Sequence, residues 1–216
     1  MSDQHFTEQE RDAVYRVIAE RRDMRHFVGG EVPPAILASL LEAAHQAPSV
    51  GLMQPWRFIR ITDRALRGKI QALVEEERLR TAQALGERSD DFMRLKVEGI
   101  ADCAEVLVVA LMDGRETHVF GRRTLPEMDL ASMSCAIQNL WLAARAENLG
   151  MGWVSLFEPQ AMAQLLGMPT GSKPLGVLCL GPVAEFYSKP MLVQEGWAKT
   201  RPLSELLFNN QWGNHQ

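Results

Sequence analysis

Three arginines and one aspartate fall within five consecutive positions, as Arg21, Arg22, Asp23 and Arg25. Guanidinium groups are planar, permanently charged and able to donate two parallel hydrogen bonds, so a cluster of them suits a dianionic phosphate or an electron-rich ring. Cations also collect at helix C-termini, where they interact favourably with the helix dipole. The cluster alone therefore leaves two interpretations open, an anion-binding site and a solvated helix end.

The composition of the chain excludes several classes of function. Its 216 residues suit one domain of ordinary size, and a hydrophobic fraction of 46% is sufficient for a core. A net charge of −4 with both signs interspersed argues against nucleic-acid binding. No apolar run is long enough to span a membrane, and the first residues show no secretory signal, so we expect a cytoplasmic protein without a membrane partner.

No metal site is expected from the sequence. The histidines lack the helical spacing that is typical of metal ligands. Cys103, Cys135 and Cys179 lie far apart in the sequence and are odd in number, so they predict neither a ligand pair nor a disulfide framework. We interpret all three as small buried residues in a reducing compartment.

The pattern of polar and apolar residues predicts alternating helices and strands. The expected helices cover residues 7–22, 63–85, 129–148 and 159–167, with another beginning at 33, and the expected strands cover 57–62, 105–112, 151–157 and 175–180. The apolar run 106–111 is typical of a strand buried on both faces, which requires layers above and below the sheet. This arrangement favours a single α+β domain. Charged residues 86–99 are expected to form a mobile helical lid.

Four short motifs stand out along the chain. They are the arginine cluster with Phe27, the loop Pro48-Ser49 with Gln54-Pro55-Trp56, the segment Gly-Met-Gly-Trp-Val-Ser-Leu-Phe at 150–157, and Lys199-Thr200-Arg201-Pro202. In this order they resemble the flavin-dependent nitroreductase family over nearly the whole chain. The resemblance implies an FMN-binding fold with a central, mostly antiparallel sheet flanked by helices. It also implies a homodimer that builds each flavin pocket from both chains, with the C-terminal tail of domain 1–216 packed on the partner subunit.

One departure from the family pattern is informative. Asp23 stands where family members usually carry serine, and with the segment 121–124 and the tail 196–207 it makes the chain similar to the 5,6-dimethylbenzimidazole synthase branch. That branch consumes reduced FMN and O2, and it fragments the flavin to 5,6-dimethylbenzimidazole, the lower ligand of cobalamin, and erythrose 4-phosphate. The resemblance implies this activity, with reduced FMN supplied by a flavin reductase. The alternative is an NAD(P)H-dependent nitroreductase or flavin reductase with FMN as its permanent cofactor.

The resemblance also implies cationic contacts to FMN. Arg21 matches a contact to the phosphate or ribityl chain, and Arg25 matches a contact near the N1 and O2 edge of the ring, where a cation favours the anionic reduced flavin. Arg22 is also predicted to contact FMN. Lys199 and Arg201 match the late phosphate contacts.

The remaining predicted site residues are uncharged apart from Asp23. Ser49 matches the loop that reaches the flavin of the other subunit, and Gln54 supports that loop. Val154 and Ser155 would lie beside N5 and C4a of the ring, where the Ser155 hydroxyl can donate or accept one hydrogen bond. Asp23 and Ser155 are the predicted catalytic residues.

Asp23 is the residue that separates the two activities. A carboxylate beside an anionic reduced flavin carries an electrostatic cost, so we expect it to have a task. Fragmentation of a flavin requires protons to be removed from and returned to several atoms, which a positioned carboxylate can mediate. The alternative interpretation is that Asp23 only pairs with Arg22 or Arg25.

Overall fold

The computed structural model describes residues 5–214. Within this range the helices and strands follow one another as α1 (Glu8–Glu20), α2 (Pro34–His45), β1 (Trp56–Arg60), α3 (Arg64–Ala84), α4 (Ser89–Arg94), β2 (Glu105–Leu111), α5 (Met128–Ala146), β3 (Gly150–Val154), α6 (Pro159–Leu165), β4 (Lys173–Gly181) and α7 (Met191–Gln194). The strands form one sheet in the order β1-β2-β4-β3, and every neighbouring pair is antiparallel. The predicted α+β fold with an antiparallel sheet is confirmed.

The sheet is covered on both faces, as the apolar run in β2 predicted. Leu107, Val109 and Leu111 point into one apolar cluster with the side chains of α2 and α5. Val106 and Val108 point the opposite way, into a second cluster with α3 and α6. Because side chains alternate along a strand, burial of both sets places β2 at the centre of the molecule.

Several helix starts follow directly from local chemistry. Thr7 and Glu10 form the predicted capping box, in which the Thr7 hydroxyl accepts from the Glu10 amide and the Glu10 carboxylate accepts from the Thr7 amide. Asp63 Oδ1 accepts from the amides of Ala65 and Leu66 at the start of α3. These caps satisfy amide donors that the first turn of a helix leaves unpaired.

The prediction that Asp129 begins the central apolar helix is wrong. Helix α5 begins at Met128, and the Asp129 carboxylate is buried, with Oδ2 2.9 Å from both Arg115 Nε and Arg122 Nη2. The Asp129 carboxylate therefore anchors the loop before α5 by binding two guanidinium groups of that loop, instead of capping the first turn of the helix. The helix also ends earlier than expected. Asn148, with a φ of 57°, turns the chain, and Gly150 already belongs to β3.

Two differences near the C-terminal half affect the site. Strand β3 ends at Val154, so Ser155 lies just beyond the sheet and not within a strand. The short helix α7 follows β4, where no helix was predicted, and a 3-10 turn covers Leu203–Glu205. Among residues 5–214, no helix is both long and apolar enough to cross a membrane.

The segment after α1 extends the sheet at its open edge. Asp23 forms a parallel β-bridge with Met151, and the Met24 amide donates to the Met151 carbonyl oxygen at 2.9 Å. Met24 itself is completely buried in the second apolar cluster. This attachment to β3 fixes the direction of the Asp23 and Arg25 side chains, and both residues belong to the predicted site.

Candidate active site

A cavity of about 300 Å³ lies at the end of β3 and contains both predicted catalytic residues. It is lined by Asp23, Arg25, Phe92, Leu95, Val97, Trp153, Val154, Ser155, Leu156, Met191, Leu192 and Trp197. The first motif and the third therefore meet in space, as the resemblance predicted. The polar groups lie on the side formed by β3 and the segment after α1, and the opposite wall is apolar.

The centre of the polar side is an ion pair between Asp23 and Arg25. Arg25 Nη1 and Nη2 donate to Asp23 Oδ1 and Oδ2, both at 2.7 Å, so two parallel hydrogen bonds hold the carboxylate. Arg25 Nη2 also donates to the Trp153 carbonyl oxygen at 2.9 Å, and the Trp153 amide donates to Asp23 Oδ1 at 3.0 Å. Both side chains are thereby tied to one peptide segment of β3.

The two partners differ in exposure. Only 9% of the Arg25 side chain is accessible, whereas 45% of the Asp23 side chain is accessible, on the cavity side. Asp23 is thus paired with Arg25, as the alternative interpretation of this residue stated, but its carboxylate still faces the cavity. Arg25 lies behind Asp23 and orients it.

Burial raises the pKa of Asp23, and the positive charges of Arg25 and Arg21 and the Trp153 amide oppose that rise. Part of the side chain is accessible, but the carboxylate lies in a concave site with protein on most sides. A carboxyl group with a raised pKa keeps its proton to higher pH than an exposed aspartate. A raised pKa makes a carboxylate a better proton acceptor than an exposed aspartate.

Glycine at position 152 is required for this arrangement. A Cβ atom there would overlap the carbonyl oxygen of Met24 and Nη1 of Arg25. Tyr187 also supports Arg25, because its hydroxyl accepts a hydrogen bond from the backbone amide of Arg25 at 3.1 Å. Neither supporting residue was predicted from the sequence. The Gly-Met-Gly pattern at 150–152 was a usable signal for Gly152, whereas nothing local pointed to Tyr187.

Ser155 lies at the cavity immediately after β3 and is exposed. Within residues 5–214 its hydroxyl makes no hydrogen bond to protein, so it is available to a ligand. Val154 is buried against the second apolar cluster, and its position at the end of β3 brings its backbone to the cavity.

The apolar wall joins the 86–97 segment to the C-terminal part of the chain. The Arg88 guanidinium lies 3.6 Å from the centre of the Trp197 ring, and Arg88 Nη2 donates to the Trp197 carbonyl oxygen at 3.2 Å. Phe92 packs on the same ring, with 6.0 Å between centroids. Residues 86–94 are helical as predicted, whereas residues 95–99 are not, and a role of this segment as a mobile lid stays a prediction. Phe92 and Trp197 were not predicted as site residues.

The predicted cationic residues divide into two groups. Arg22 donates to the carbonyl oxygens of Ala19, Arg21 and Ser188, so its terminal nitrogens are used at the end of α1. For Arg22 the helix-end interpretation describes the structure, and we leave it out of the proposed FMN contacts.

Arg21, Lys199 and Arg201 are the cations that remain for a ligand. Arg21 packs over the Trp141 ring at 4.5 Å, and its charge is close enough to Asp23 to act on that carboxylate. Lys199 and Arg201 are exposed and form no ion pair within the described part of the chain. They follow Trp197 of the cavity wall by two and four positions.

Ser49 and Gln54 lie outside this cavity in the single chain. The backbone amide of Gln54 donates to Ser49 Oγ at 3.1 Å, so the two residues are joined within one loop. The loop is attached to the start of α5, because the Val50 amide donates to Ser132 Oγ at 3.0 Å, whereas Trp141 further along α5 contacts Arg21 and Arg22. Nine residues of helix separate these points by roughly 14 Å.

A substitution at Gly152 tests the geometry of the ion pair. We expect Gly152→Ala to displace Arg25 and to lower the free energy of unfolding by about 1–3 kcal/mol, because the neighbouring Met24 carbonyl cannot move freely. The matched control is Gly68→Ala, in open space on α3, which should raise the free energy of unfolding by about 0.5–1 kcal/mol. Urea denaturation measures both. A Gly152→Ala variant as stable as the parent would show that this position is not tightly packed.

Comparison with known proteins identifies relatives over most of the chain. The sequence model of the nitroreductase family matches residues 18–182. The 5,6-dimethylbenzimidazole synthase of Rhodospirillum rubrum is 39% identical over 196 residues, which cover 89% of this chain and 92% of that protein. The protein of the same name from Rhodobacter capsulatus is 37% identical over 201 residues, 92% of this chain and 97% of that protein.

A solved structure with a bound flavin shares the fold. Oxidised iodotyrosine deiodinase bound to FMN and 3-iodo-L-tyrosine superposes with a TM-score of 0.66 and covers 82% of this chain and 92% of its own, at 22% identity. At that identity the likeness concerns the fold alone. The match to the family model and the identities of the two synthases are the basis for classification. The chain belongs to the nitroreductase family and is an oxidoreductase.

Proposed function

We propose that this enzyme fragments reduced FMN with O2, giving 5,6-dimethylbenzimidazole for the lower ligand of cobalamin and erythrose 4-phosphate. The observation that carries the proposal is the pair of polar side chains at one cavity: the Asp23 carboxylate held by Arg25, and the Ser155 hydroxyl, which has no hydrogen-bond partner among residues 5–214. Relatives with identities of 37–39% over nine tenths of the chain are named for this product, which supports the same assignment.

The cavity has the chemistry that a flavin ring requires. Its apolar wall offers flat or adaptable surfaces, Phe92, Trp197 and Met191, and its polar side offers hydrogen-bonding groups at one edge. A volume of about 300 Å³ is at the lower limit for a ligand site, so we place the ring there and the ribityl phosphate outside. Arg21, Lys199 and Arg201 are the cations that we assign to the chain and its phosphate.

Reduced FMN with O2 would supply the electrons and the oxygen for ring cleavage, and the protein would supply position and proton transfer. Asp23 would accept a proton from the ligand and return one, since its raised pKa brings the two protonation states closer in energy. Arg25 would keep the carboxylate oriented through both states and would place a positive charge behind it. That charge also favours an anionic ligand in the cavity.

Ser155 would act opposite Asp23. Its hydroxyl follows directly after β3, so its position is set by the strand while its torsion is free to donate or accept. We assign it a hydrogen bond to the ring beside the reacting atoms. Val154 would contribute its backbone at the same edge.

We further propose that the functional unit is a homodimer. Helix α1 buries none of its side chains, and its apolar residues Val14 and Val17 face a groove shared with Leu142 and Ala143 of α5. The tail exposes Leu203, Leu206, Leu207 and Trp212. A second copy would cover these surfaces, and the distance of Ser49 and Gln54 from the cavity of their own chain supports a role at the cavity of the partner. Residues 1–216 would then be one domain whose tail packs on the other subunit.

A flavin reductase would have to supply reduced FMN, because the proposed reaction consumes the flavin. The rival function is an NAD(P)H-dependent nitroreductase or flavin reductase in which FMN is retained. The shared fold is compatible with both, so the decision rests on the fate of the flavin.

The fate of the flavin can be measured directly. Purified protein given reduced FMN and then air should form 5,6-dimethylbenzimidazole, measured by chromatography. Asp23→Asn should bind FMN but form product about 10²–10⁴-fold more slowly, because the amide cannot take a proton. The matched control is Asp91→Asn, which changes an exposed side chain of α4 and should retain the parent rate.

Two results would oppose the proposal. Recovery of the flavin only as oxidised FMN, together with bleaching of bound FMN by NADPH, would identify the rival reductase. Full product formation by Asp23→Asn would leave the synthase activity in place and remove the assigned role of the carboxylate.

Subunit mixing tests the shared pocket. Asp23→Asn and Ser49→Trp should each form little product alone, the second because a bulky side chain would block the partner's cavity. After the subunits exchange, mixed dimers would carry one intact site, so a random mixture should recover about one quarter of the parent activity. If exchange is verified by mass and no activity returns, Ser49 and Asp23 do not belong to opposite sides of one pocket.

A further inference from the structure

One tyrosine hydroxyl holds the middle of the segment that follows α1. The segment is attached to β3 by the β-bridge described above, and further along the chain the Val28 amide donates to the Pro182 carbonyl oxygen at 3.1 Å. Between these two contacts, the backbone amides of Arg25 and His26 both donate to the hydroxyl oxygen of Tyr187, at 3.1 and 3.3 Å. Tyr187 therefore closes the gap between the two backbone attachments.

The same hydroxyl also contacts the His26 ring. His26 Nδ1 lies 2.6 Å from Tyr187 Oη. The two rings meet edge to face, with 80° between their planes and 6.0 Å between their centroids. His26 is otherwise exposed, so this contact ties its ring to the protein. Three nitrogen atoms from two consecutive residues thus surround one oxygen atom.

The number of donors and acceptors at this oxygen determines the direction of each hydrogen bond. A hydroxyl group has one proton to donate and two lone pairs that accept. Backbone amides can only donate, so the amides of Arg25 and His26 occupy both lone pairs of Tyr187 Oη. The Tyr187 proton is then directed to His26 Nδ1, which must accept it. A neutral imidazole with an accepting Nδ1 carries its proton on Nε2, and a proton on Nδ1 would bring a third donor to two lone pairs.

This arrangement matters for Arg25 because its amide is buried. Only 8% of Arg25 is accessible, and within residues 5–214 its amide has no acceptor other than the Tyr187 hydroxyl. The far end of the same residue is the guanidinium that binds the Asp23 carboxylate. A buried amide without an acceptor is costly, so loss of the hydroxyl would favour rotation of the Arg25 backbone. Such a rotation would move the guanidinium and the carboxylate with it.

We propose that Tyr187 and His26 are positioning residues of the Asp23 site: the His26 ring orients the Tyr187 hydroxyl, and the hydroxyl holds the backbone of Arg25. The catalytic part of this inference rests on the proposed function, in which Asp23 transfers protons. Neither Tyr187 nor His26 lines the Asp23 cavity of its own chain, so their effect passes through Arg25 and not through contact with the ligand. They should therefore affect the rate at saturation more than the affinity for FMN.

Removal of the hydroxyl alone tests the role of Tyr187. Tyr187→Phe should keep the KM for reduced FMN within about twofold and lower kcat for 5,6-dimethylbenzimidazole formation about 10-fold, because the carboxylate loses its fixed orientation. The matched control is Tyr15→Phe, which changes the only other tyrosine, exposed on α1, and should keep both constants. A parental kcat in Tyr187→Phe, or a higher KM with unchanged kcat, would overturn the proposal.

Two substitutions of His26 separate its acceptor from its bulk. The side-chain oxygen of asparagine can take the place of Nδ1, so His26→Asn should keep kcat within about twofold of the parent. Leucine offers no acceptor, and His26→Leu should lower kcat by about 3- to 10-fold. Equal rates in the two variants would show that the ring does not act as a hydrogen-bond acceptor.

Spectroscopy tests the same hydrogen bonds without turnover. In nitrogen-15 NMR spectra at about pH 8, where histidine is ordinarily neutral, His26 should carry its proton on Nε2 and none on Nδ1. Hydrogen exchange of the Arg25 amide should be at least about 10-fold faster in Tyr187→Phe than in the parent. A proton on Nδ1, or unchanged exchange, would contradict the proposal. Absence of product from the unmodified protein would instead reject the proposed function, and the two spectroscopic results would then decide whether Tyr187 and His26 hold Arg25.

Discussion

The ion pair between Arg25 and Asp23 is the interaction on which the site depends. It joins a buried cation to a carboxylate that faces a cavity, and both groups are tied to the same peptide of β3. A buried guanidinium without a partner would be strongly destabilising, so the carboxylate is held in place by the cost of leaving Arg25 alone. Three features support this pair. Burial of Met24 fixes the segment after α1, and the missing Cβ of Gly152 leaves space for the Arg25 guanidinium. The β-bridge between Asp23 and Met151 fixes the direction of the Asp23 side chain.

The same pair explains how a carboxylate can lie beside an electron-rich ligand. Burial alone would favour protonated Asp23, and Arg25 offsets part of that effect. The balance leaves a group that can hold or release a proton without moving, which a serine at this position cannot do. Under the proposed function, this difference at position 23 separates the use of the flavin as a substrate from its use as a cofactor.

Local interactions are the part of the structure that could be predicted from sequence. The capping box at Thr7 and Glu10 and the cap at Asp63 are formed by neighbouring residues, and the apolar run in β2 reflects burial on both faces. Asp129 was misread because its partners, Arg115 and Arg122, are brought to it by a loop and not by helical spacing.

Features that arise only from tertiary contact were missed for the same reason. The wall formed by Phe92 and Trp197 joins segments that are about half the chain apart, and Cys135, predicted to be buried, is exposed on α5. Of the residues that the motifs predicted, Asp23, Arg25, Val154 and Ser155 line one cavity, whereas Ser49 and Gln54 lie outside it. They did not predict that Arg22 is used at the end of α1, because an arginine cluster alone is compatible with both an anion-binding site and a helix end.

The most direct test of this account is the Arg25→Lys variant, given reduced FMN and then air. Lysine keeps the positive charge but cannot form two parallel hydrogen bonds, so Asp23 would lose its fixed orientation. We predict that the variant still binds FMN and that formation of 5,6-dimethylbenzimidazole falls by roughly 100-fold or more. Product formation at the parent rate, in a variant with native fold and FMN affinity, would contradict the claim that Arg25 acts by orienting the carboxylate.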